Sequence, residues 1–318
     1  MVGEATAVEA MTKAGMSGAA PTSYEGLQVR EAMARLTRGL SEAGIDGAAR
    51  DARLLLLGAL GMTGTDLLRE PERCVGAQEA AKLADFAARR EAHEPVSRIL
   101  GERGFFGRDF MVTPATLDPR PCTETVIEAA LEIAAREGWR ERPIRILDIG
   151  TGSGALLVTL LAELPLATGV GTDISEPALA AARANAERLG VAGRAEFLAR
   201  RTLDGVAGPF DLLVSNPPYI PSRDIETLDP EVRLFDPRAA LDGGADGLDF
   251  YRAFALEADR VVPRGWIVLE VGAGQAEDVS RLFRTEGPPG IPREIKVWQD
   301  LGQHTRCVAV KTQCAPSL

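Results

Sequence analysis

The hydrophobic positions divide the chain into a helical first part and an alternating second part. From Tyr24 to about Ala92, apolar residues recur at steps of three and four, which is the period of an amphipathic helix. Helices are predicted at about 29–40, 54–60 and 80–92, with charges of both signs on their other faces. We therefore expect residues 24–100 to form a small helical domain.

Residues 101–122 have a different pattern. Gly104-Phe105-Phe106-Gly107, followed by Phe110-Met111-Val112, favours a β-hairpin over a helix. A helix is predicted from about Thr125, where Thr125 and Glu128 have the spacing of a capping box. Residues 1–23 show no sustained period, and we interpret them as a flexible tail. The predicted organisation is a tail at 1–23, a helical domain at 24–100, a hairpin linker at 101–122 and a second domain at 123–318.

Beyond residue 123, short apolar runs alternate with helical stretches. The runs that have the length and composition of buried strands centre on 144–147, 169–172, 197, 210–214 and 266–271. Two more runs, at 295–298 and 307–310, are suited to a closing antiparallel pair. Strands that alternate with helices predict an α/β fold with a mainly parallel, doubly wound sheet.

A glycine-rich loop, Asp148-Ile149-Gly150-Thr151-Gly152-Ser153-Gly154, follows the first of these strands. Its glycines permit a tight turn and let a ligand approach backbone N–H groups at the start of a helix. Asp173 ends the second strand, where a carboxylate can accept hydrogen bonds from both hydroxyls of a ribose.

Two nucleotide ligands fit this arrangement. NAD fits because Gly150-x-Gly152-x-x-Ala155 nearly satisfies the dinucleotide fingerprint. S-adenosylmethionine fits because Asp148 would face its cationic amine, whereas the same carboxylate would hinder a pyrophosphate. Taken alone, the loop favours the methyl donor over NAD but does not decide between them.

The fourth strand ends in Ser215-Asn216-Pro217-Pro218-Tyr219. Asn216 offers a carboxamide with both donor and acceptor atoms, and the two prolines lock the backbone without presenting an N–H. Tyr219 adds a flat aromatic face. This corner is either a rigid turn or a grip for a planar amide or amine, held by hydrogen bonds and stacking.

Composition narrows the chemistry. The chain has 318 residues and a formal net charge of −10, which argues against broad binding to a phosphate backbone. Its four cysteines form no C-x-x-C pair, and its two histidines, His93 and His304, lie far apart. We therefore expect no metal centre and no histidine-dependent triad. Without an apolar membrane span or a signal-peptide pattern, a cytoplasmic location is expected.

Together these motifs resemble the protein-(glutamine-N5) methyltransferases that modify peptide chain release factors, the PrmC/HemK type. The resemblance extends from about Val29 to Val310. Its most specific part is Leu228–Arg233 with Asp236-Pro237, followed by Ala240–Gly244 and Asp246–Leu248. Adenine-N6 DNA methyltransferases share the Asn-Pro-Pro-Tyr corner but lack that following segment. Other matching stretches are Glu94–Val96, Ile99–Glu102, Pro119–Pro121, Thr123-Glu124, Leu269–Gly272 with Gln275, and Asp300-Leu301 with Arg306.

The resemblance implies a class I methyltransferase fold, with a Rossmann-like sheet closed by an antiparallel hairpin and an N-terminal helical domain that recognises the protein substrate. It implies S-adenosylmethionine as methyl donor, bound by Asp148, Gly150, Thr151, Gly152, Ser153, Gly154, Asp173, Thr202 and Asn216. The implied catalytic residues are Asn216, Pro217 and Tyr219. The implied contacts of the substrate, a glutamine in a Gly-Gly-Gln motif, are Asn216, Pro217, Pro218 and Tyr219. A monomer with a class I release factor as partner, and without a membrane or nucleic-acid partner, is also implied.

Three positions depart from the family pattern. Arg200-Arg201 stand where an acid near the adenine amine is usual, Cys122 replaces a usual acid, and Asp118 replaces a usual aliphatic residue. Two alternatives stay open at this point. One is a nucleic-acid methyltransferase acting on adenine-N6 or guanine-N2, and the other is a catalytically weak protein that binds the donor or a release factor.

Overall fold

The computed structural model describes residues 23–286 and 293–312. The predicted tail at 1–23 lies outside these residues, apart from Ser23. The chain forms two compact units that divide between Ile99 and Leu100. Within the described ranges, no helix is long and apolar enough to cross a membrane.

The first unit is helical. Its helices are α1 (Val29–Glu42), α2 (Ala48–Leu60), α3 (Gly64–Arg69), α4 (Ala77–Glu91) and α5 (Val96–Leu100), whose last residue belongs to the second unit. Leu36, Leu55 and Leu83 are fully buried between the three long helices. A buried ion pair joins Asp51 of α2 to Arg90 of α4 at 2.9 Å. The short helices α3 and α5 are absent from the sequence prediction because six and five residues are too few to show a helical period.

The second unit opens with an antiparallel hairpin of β1 (Glu102–Phe105) and β2 (Arg108–Met111). A short 3₁₀ turn at Pro121–Thr123 leads into α6 (Glu124–Arg136). The predicted capping box is wrong. Thr125 lies inside the helix and is buried, because this end of α6 packs into the core.

The central sheet has seven strands in the described part of the chain, in the order β5-β4-β3-β6-β7-β9-β8. The strands are β3 (Arg145–Ile149), β4 (Thr168–Asp173), β5 (Ala195–Ala199), β6 (Leu212–Ser215), β7 (Trp266–Glu270), β8 (Ile295–Gln299) and β9 (Thr305–Lys311). Strands β3 to β7 are parallel, and β9 runs antiparallel to both β7 and β8. The mainly parallel α/β fold with its closing antiparallel pair is thereby confirmed.

Helices cover both faces of this sheet. The remaining helices are α7 (Ala155–Glu163), α8 (Glu176–Arg188), α9 (Pro230–Arg233), α10 (Asp249–Val261) and α11 (Ala276–Thr285). One apolar core combines α6, α7 and α8 with strand residues such as Ile146 and Val268. The other combines α10 and α11 with the alternate residues, such as Leu147 and Ile267. Burial on both faces explains why the central strands are continuously apolar.

The strand order fixes where a ligand can bind. The chain moves from β3 to β4 and β5 on one side, then crosses to β6 on the other side of β3. The carboxyl ends of β3 and β6 therefore flank a topological switch point, the usual position of a ligand crevice in an open α/β sheet. The glycine loop and the Asn-Pro-Pro-Tyr corner leave the sheet at these two ends.

Candidate active site

The donor loop, residues 148–154, connects β3 to α7 through backbone geometry that needs glycine. Gly150 and Gly152 have φ of +72° and +56°, and a Cβ atom at either would meet nothing within 4 Å. Their requirement is therefore conformational, and the space beside them is open. The Thr151 amide donates to the Thr172 carbonyl at 2.8 Å, which fixes the loop against the end of β4.

Asp173 is joined to the donor loop. Its Oδ2 accepts from the Gly152 amide at 3.0 Å, and its Oδ1 accepts from the Ser175 amide at 2.9 Å. Ser175 also caps α8, since its hydroxyl accepts from the Ala178 amide at 3.3 Å. Asp173 is half-buried, and each carboxylate oxygen retains a lone pair for a further donor such as a ribose hydroxyl.

Asp148 is the first residue of the donor loop and lies at the end of β3 next to its last residue, Ile149. It is 1% exposed, and its Oδ2 accepts from the Thr151 hydroxyl at 2.6 Å. Its Oδ1 is buried without a hydrogen-bond partner among the described residues. Burial raises the pKa of Asp148 to about 7, against the opposing effect of hydrogen bonds from Thr151 and the Leu157 backbone.

The acceptor corner, residues 215–219, is held beside the donor loop by a short cross-strand contact. The buried Ser215 hydroxyl donates to the Ile149 carbonyl at 2.6 Å, which ties the end of β6 to the end of β3. Asn216 is half-buried, and its Nδ2 donates to Thr123 Oγ1 at 3.3 Å. With Nδ2 engaged by the protein, the Asn216 oxygen is left as an acceptor for a substrate.

A buried carboxyl group, Glu270 at the end of β7, lies behind this corner. It is fully buried, and its Oε1 accepts from the Tyr219 hydroxyl at 3.4 Å and lies 3.9 Å from Cys122 Sγ. Its Oε2 is buried and makes no hydrogen bond within the described part of the chain. Burial raises the pKa of Glu270 to about 7, although hydrogen bonds from Thr123 and Tyr219 and the charge of Arg306 lower it.

The same cluster determines the state of its neighbours. Burial, together with the charge of Glu270, raises the pKa of the Tyr219 hydroxyl, so that it remains a hydrogen-bond donor. Burial also raises the pKa of the Cys122 thiol. A thiol with a raised pKa is a poor nucleophile, so Cys122 is a loop thiol that is not poised for nucleophilic attack.

Two later stretches that match the family pattern, one around Gly243 and Gly247 and one at Gly272 and Gln275, hold the corner in place. Gln275 Nε2 donates to the Tyr219 carbonyl at 3.0 Å, and Gln275 Oε1 accepts from the Gly272 amide at 3.0 Å. A Cβ at Gly247 would lie 2.3 Å from the Tyr219 oxygen, and one at Gly243 would lie 2.7 Å from the Pro218 oxygen. Only glycine allows these backbones to approach so closely, which gives the Gly-Gly and Asp-Gly pairs a physical reason.

Two of the three departures from the family pattern lie at the surface or in an ion pair, and the third, Cys122, is the thiol beside Glu270 described above. Arg200 and Arg201 are exposed, and Arg200 donates through Nη1 to the carbonyl of its neighbour Ala199 at 2.6 Å. Thr202 follows them, half-buried, in the loop after β5. Asp118 is buried at 3.8 Å from an Arg103 nitrogen. None of these positions touches Asn216.

Most of the predicted site residues come together at the ends of β3, β4 and β6. The donor loop, Asp173 and the acceptor corner are joined by the contacts above, whereas Thr202 shares only the β5 end of this edge. Their roles stay predictions. No role is predicted from the sequence for Thr123, Ser215, Glu270 or Gln275. A lone acid that ends an otherwise apolar strand, as Glu270 does, is the signal that would have identified it.

The donor loop fits S-adenosylmethionine better than a dinucleotide. The unpartnered Asp148 Oδ1 is a buried acceptor that suits a cationic amine and opposes a pyrophosphate. Asp173 adds two acceptor oxygens for a ribose, and the glycines leave open space above the loop. In the described ranges there is no group of three or more histidines, cysteines or acids that could hold a metal ion.

Comparison with solved structures shows the fold. The catalytic domain of hMettl16 in complex with the MAT2A 3′UTR hairpin 6 matches with a TM-score of 0.52 and 16% identity, covering 67% of this chain and 78% of that chain.

Comparison of sequences shows the family. A family model described as the PrmC N-terminal domain matches residues 31–101, and one described as the methyltransferase small domain matches residues 136–229. The chain is 47% identical over 283 residues to the release factor glutamine methyltransferase of Bradyrhizobium diazoefficiens, covering 86% of this chain and 95% of the relative. It is 48% identical over 280 residues to that of Rhodospirillum rubrum, covering 88% and 83%. This chain therefore belongs to the release factor glutamine methyltransferase family.

Proposed function

We propose that this protein transfers a methyl group from S-adenosylmethionine to the side-chain amide nitrogen of a glutamine, in the Gly-Gly-Gln motif of a peptide chain release factor. The observation that carries the proposal is the orientation of Asn216. Its amide nitrogen donates to Thr123 at 3.3 Å, and no hydrogen bond within the described residues engages its oxygen, next to the contact that ties the corner to β3. The relatives in the family are named for this activity.

The chemical task is to make an amide nitrogen nucleophilic. Its lone pair is delocalised into the carbonyl, so the nitrogen must be held in a geometry that turns the lone pair toward the methyl carbon. Asn216 Oδ1 and the Pro217 carbonyl accept the two amide hydrogens in this proposal, and Tyr219 packs on the amide plane. Alignment of this kind supplies much of a barrier reduction without a strong base.

The bond changes balance without a further reactant. S-adenosylmethionine supplies the methyl carbon on a sulfonium, whose sulfur leaves as a neutral thioether. The substrate nitrogen forms the new N–C bond and then loses one of its two hydrogens to water. In the proposed assignment, Asp148 and the glycine-loop residues Gly150, Thr151, Gly152, Ser153 and Gly154 hold the methionine part of the donor, and Asp173 holds its ribose.

The cellular setting belongs to the same proposal. Because a release factor is a protein of translation, we place the enzyme in the cytoplasm, with the first unit (residues up to 99) recognising the protein substrate. A monomeric state is the expectation, and light scattering of the purified protein measures it.

The test is methyl transfer from labelled S-adenosylmethionine to a purified release factor, with the modified peptide mapped by mass spectrometry. Wild type should increase the mass of the glutamine residue by about 14 mass units (one CH₂), because a methyl group replaces one hydrogen. Asn216→Ala should lower kcat by about 100-fold or more, because the substrate amide loses its orienting acceptor. Donor affinity should stay within about threefold of wild type, since Asn216 Nδ2 contacts Thr123 and no loop residue.

A release factor whose glutamine is replaced by alanine is the control for the modified position. Transfer to that control would place the methyl group elsewhere and contradict the proposal. Absence of transfer by folded wild-type protein would favour the catalytically weak binding protein.

A further inference from the structure

Asn185 of α8 is a buried carboxamide that takes no part in the mechanism described above. It is fully buried. Its Oδ1 accepts from the Met111 amide at 2.8 Å, and its Nδ2 donates to the Met111 carbonyl at 3.0 Å and to the Ser153 carbonyl at 2.8 Å. Both N–H donors and the acceptor oxygen of the carboxamide are therefore in use. Three short hydrogen bonds join α8, the hairpin and the donor loop at this one side chain.

The two bonds to Met111 take the place of a neighbouring strand. Met111 is the last residue of β2, and the Val112 amide that follows donates to the Gly101 carbonyl, just before β1, at 3.1 Å. Because the hydrogen-bonding groups of successive residues in a strand point to opposite sides, those of Met111 face away from β1. Asn185 supplies the acceptor and the donor that an adjacent strand would offer there. The end of the hairpin is thereby fixed to α8.

The bond to Ser153 fixes one peptide group of the donor loop. The Ser153 carbonyl and the Gly154 N–H belong to the same planar group, and that N–H donates to the Thr151 carbonyl at 2.8 Å. The group is therefore held from inside the loop by Thr151 and from outside by Asn185. Helix α8 also lies close here, because a Cβ at Gly154 would be 3.2 Å from the Cβ of Ala182. The donor loop thus takes its position from α8 as well as from β4.

Segment 112–123 connects the same anchor to the acceptor corner. It begins directly after β2 and ends at Thr123, which accepts from Asn216 Nδ2 at 3.3 Å. Between these ends, Arg120 is paired with the buried carboxylate of Asp236 at 2.6 Å. The ion pair and the bond to Asn216 hold the far end of the segment as firmly as Asn185 holds its start.

We propose that Asn185 is a positioning residue for methyl transfer, which fixes the donor loop and segment 112–123 relative to each other. The methyl donor and the substrate amide are then held in one alignment, on which the rate of transfer depends. This role rests on the proposed function. Asn185 touches neither donor nor substrate in it, and acts through the backbone of Ser153 on one side and of Met111 on the other.

The first test is Asn185→Leu, which has nearly the same shape but neither donates nor accepts a hydrogen bond. Its affinity for S-adenosylmethionine, measured by calorimetric titration, should fall about tenfold, because the donor loop loses its outer support. Its single-turnover rate of methyl transfer at saturating donor should also fall, by about tenfold, because the two halves are no longer held in one alignment.

Thr312→Val is the matched control. The buried Thr312 hydroxyl accepts from the Gly265 amide at 2.8 Å and donates to the Gly265 carbonyl at 3.2 Å, the same two-bond pattern that Asn185 makes with Met111. It lies at the amino end of β7, at the opposite end of the sheet from the donor loop. Both variants should lower the urea midpoint of unfolding, but Thr312→Val should keep donor affinity and transfer within about twofold of wild type.

Hydrogen exchange of the peptide that spans the donor loop gives a measurement without donor or release factor. Its amides should exchange about tenfold faster in Asn185→Leu than in wild type, because local opening of the loop becomes easier. The same peptide in Thr312→Val should exchange as in wild type. Equal exchange in all three proteins would overturn the inference.

Asn185→Ala carries the test if Asn185→Leu fails to fold. Its small side chain leaves room for water beside the three backbone groups, but water does not join the two segments, so the same losses are expected. An unchanged transfer rate at saturating donor in either folded variant would overturn the inference, and so would equal losses in Thr312→Val. Absence of transfer by wild type is a different result. It removes the proposed function, while donor affinity and hydrogen exchange still report on the loop.

Discussion

The donor loop at residues 148–154 and the acceptor corner at residues 215–219 leave the sheet at adjacent strand ends, but different contacts hold them. The donor loop is fixed by its own backbone and by the next strand end, through Gly152, Thr151 and Asp173. The acceptor corner depends on side chains from distant segments, namely Thr123, Glu270 and Gln275. A substitution in the loop should therefore act on donor binding, and one around the corner should act on transfer.

Each half nevertheless contains one buried carboxyl at the end of a parallel strand. Asp148 is the last residue but one of β3, and Glu270 is the last residue of β7, beside the 3₁₀ turn that precedes α6. Burial raises the pKa of both to about 7. The two acids share a structural feature, a buried carboxyl near the carboxyl end of a parallel strand, and we expect them to act on different steps.

The largest expected effect on this comparison is on folding stability. Between the ordinary pKa of 4.5 and the folded value of about 7, the folded protein keeps the Glu270 proton that the unfolded chain has lost. The stabilisation from this difference is complete below pH 4.5 and is lost as the pH rises through 7. As the pH rises from 5 to 8, the free energy of unfolding of wild type should therefore fall by roughly 2–3 kcal/mol relative to that of Glu270→Gln. Urea unfolding at both pH values measures it.

Asp148→Asn is the matched variant for the other half. It should show the same direction of pH dependence in stability, because its carboxyl shifts the same way. The two variants should have different functional defects. Asp148→Asn should bind the donor more weakly, and Glu270→Gln should transfer the methyl group more slowly. Identical functional defects would remove the distinction between the halves.

The donor loop is held by contacts that are local in the sequence, whereas the acceptor corner is held by distant segments. This difference explains why the sequence predicts the first more completely than the second. The donor loop is seven consecutive residues whose glycines and acid have local consequences, so the sequence predicts its place and limits its ligand to S-adenosylmethionine or NAD. The acceptor corner is predicted only as far as Ser215–Tyr219. Glu270 meets it because β6 and β7 are neighbours in the sheet, and strand order is not encoded in local periodicity. The error at Thr125 has a related cause, since tertiary burial of that end of α6 overrides the local capping pattern.

The next largest effect is expected on donor binding alone. Asp173→Asn should weaken donor binding by about 10- to 100-fold, because a charged acceptor for two ribose hydroxyls becomes neutral. Calorimetric titration with S-adenosylmethionine measures this loss. Glu176→Gln is the control, since Glu176 is an exposed acid three residues away that pairs only loosely with Arg183 at 3.8 Å. Unchanged affinity in Asp173→Asn would contradict the ribose assignment.

Two glycines, one beside the acceptor corner and one far from it in the sequence, separate the effect of a steric clash from the effect of a positive φ. Gly247 and Gly190 have similar φ of +79° and +72°, but a Cβ at Gly247 would strike the Tyr219 oxygen, whereas one at Gly190 would meet nothing within 4 Å. Both alanine variants should lose about 1–2 kcal/mol from the positive φ. Only Gly247→Ala should also slow transfer, by about tenfold, because Tyr219 must move. Equal kcat in the two variants would show that the close approach to Tyr219 has no part in the reaction.

The smallest expected effect concerns the departure at Arg200-Arg201. An acid after β5 would accept a hydrogen bond from the adenine amine, which an arginine cannot do. A net hydrogen bond contributes about 0.5–1.5 kcal/mol, so Arg201→Asp should tighten donor binding by about 3- to 10-fold. Arg188→Asp makes the same charge change at the end of α8, where Arg188 lies 3.4 Å from Glu102, and should leave affinity unchanged. Equal tightening in both variants would attribute the gain to net charge. We expect kcat at saturating donor to stay unchanged in Arg201→Asp. That result would show that a substitution beside the donor loop acts on donor binding and leaves the alignment of the substrate amide to the acceptor corner.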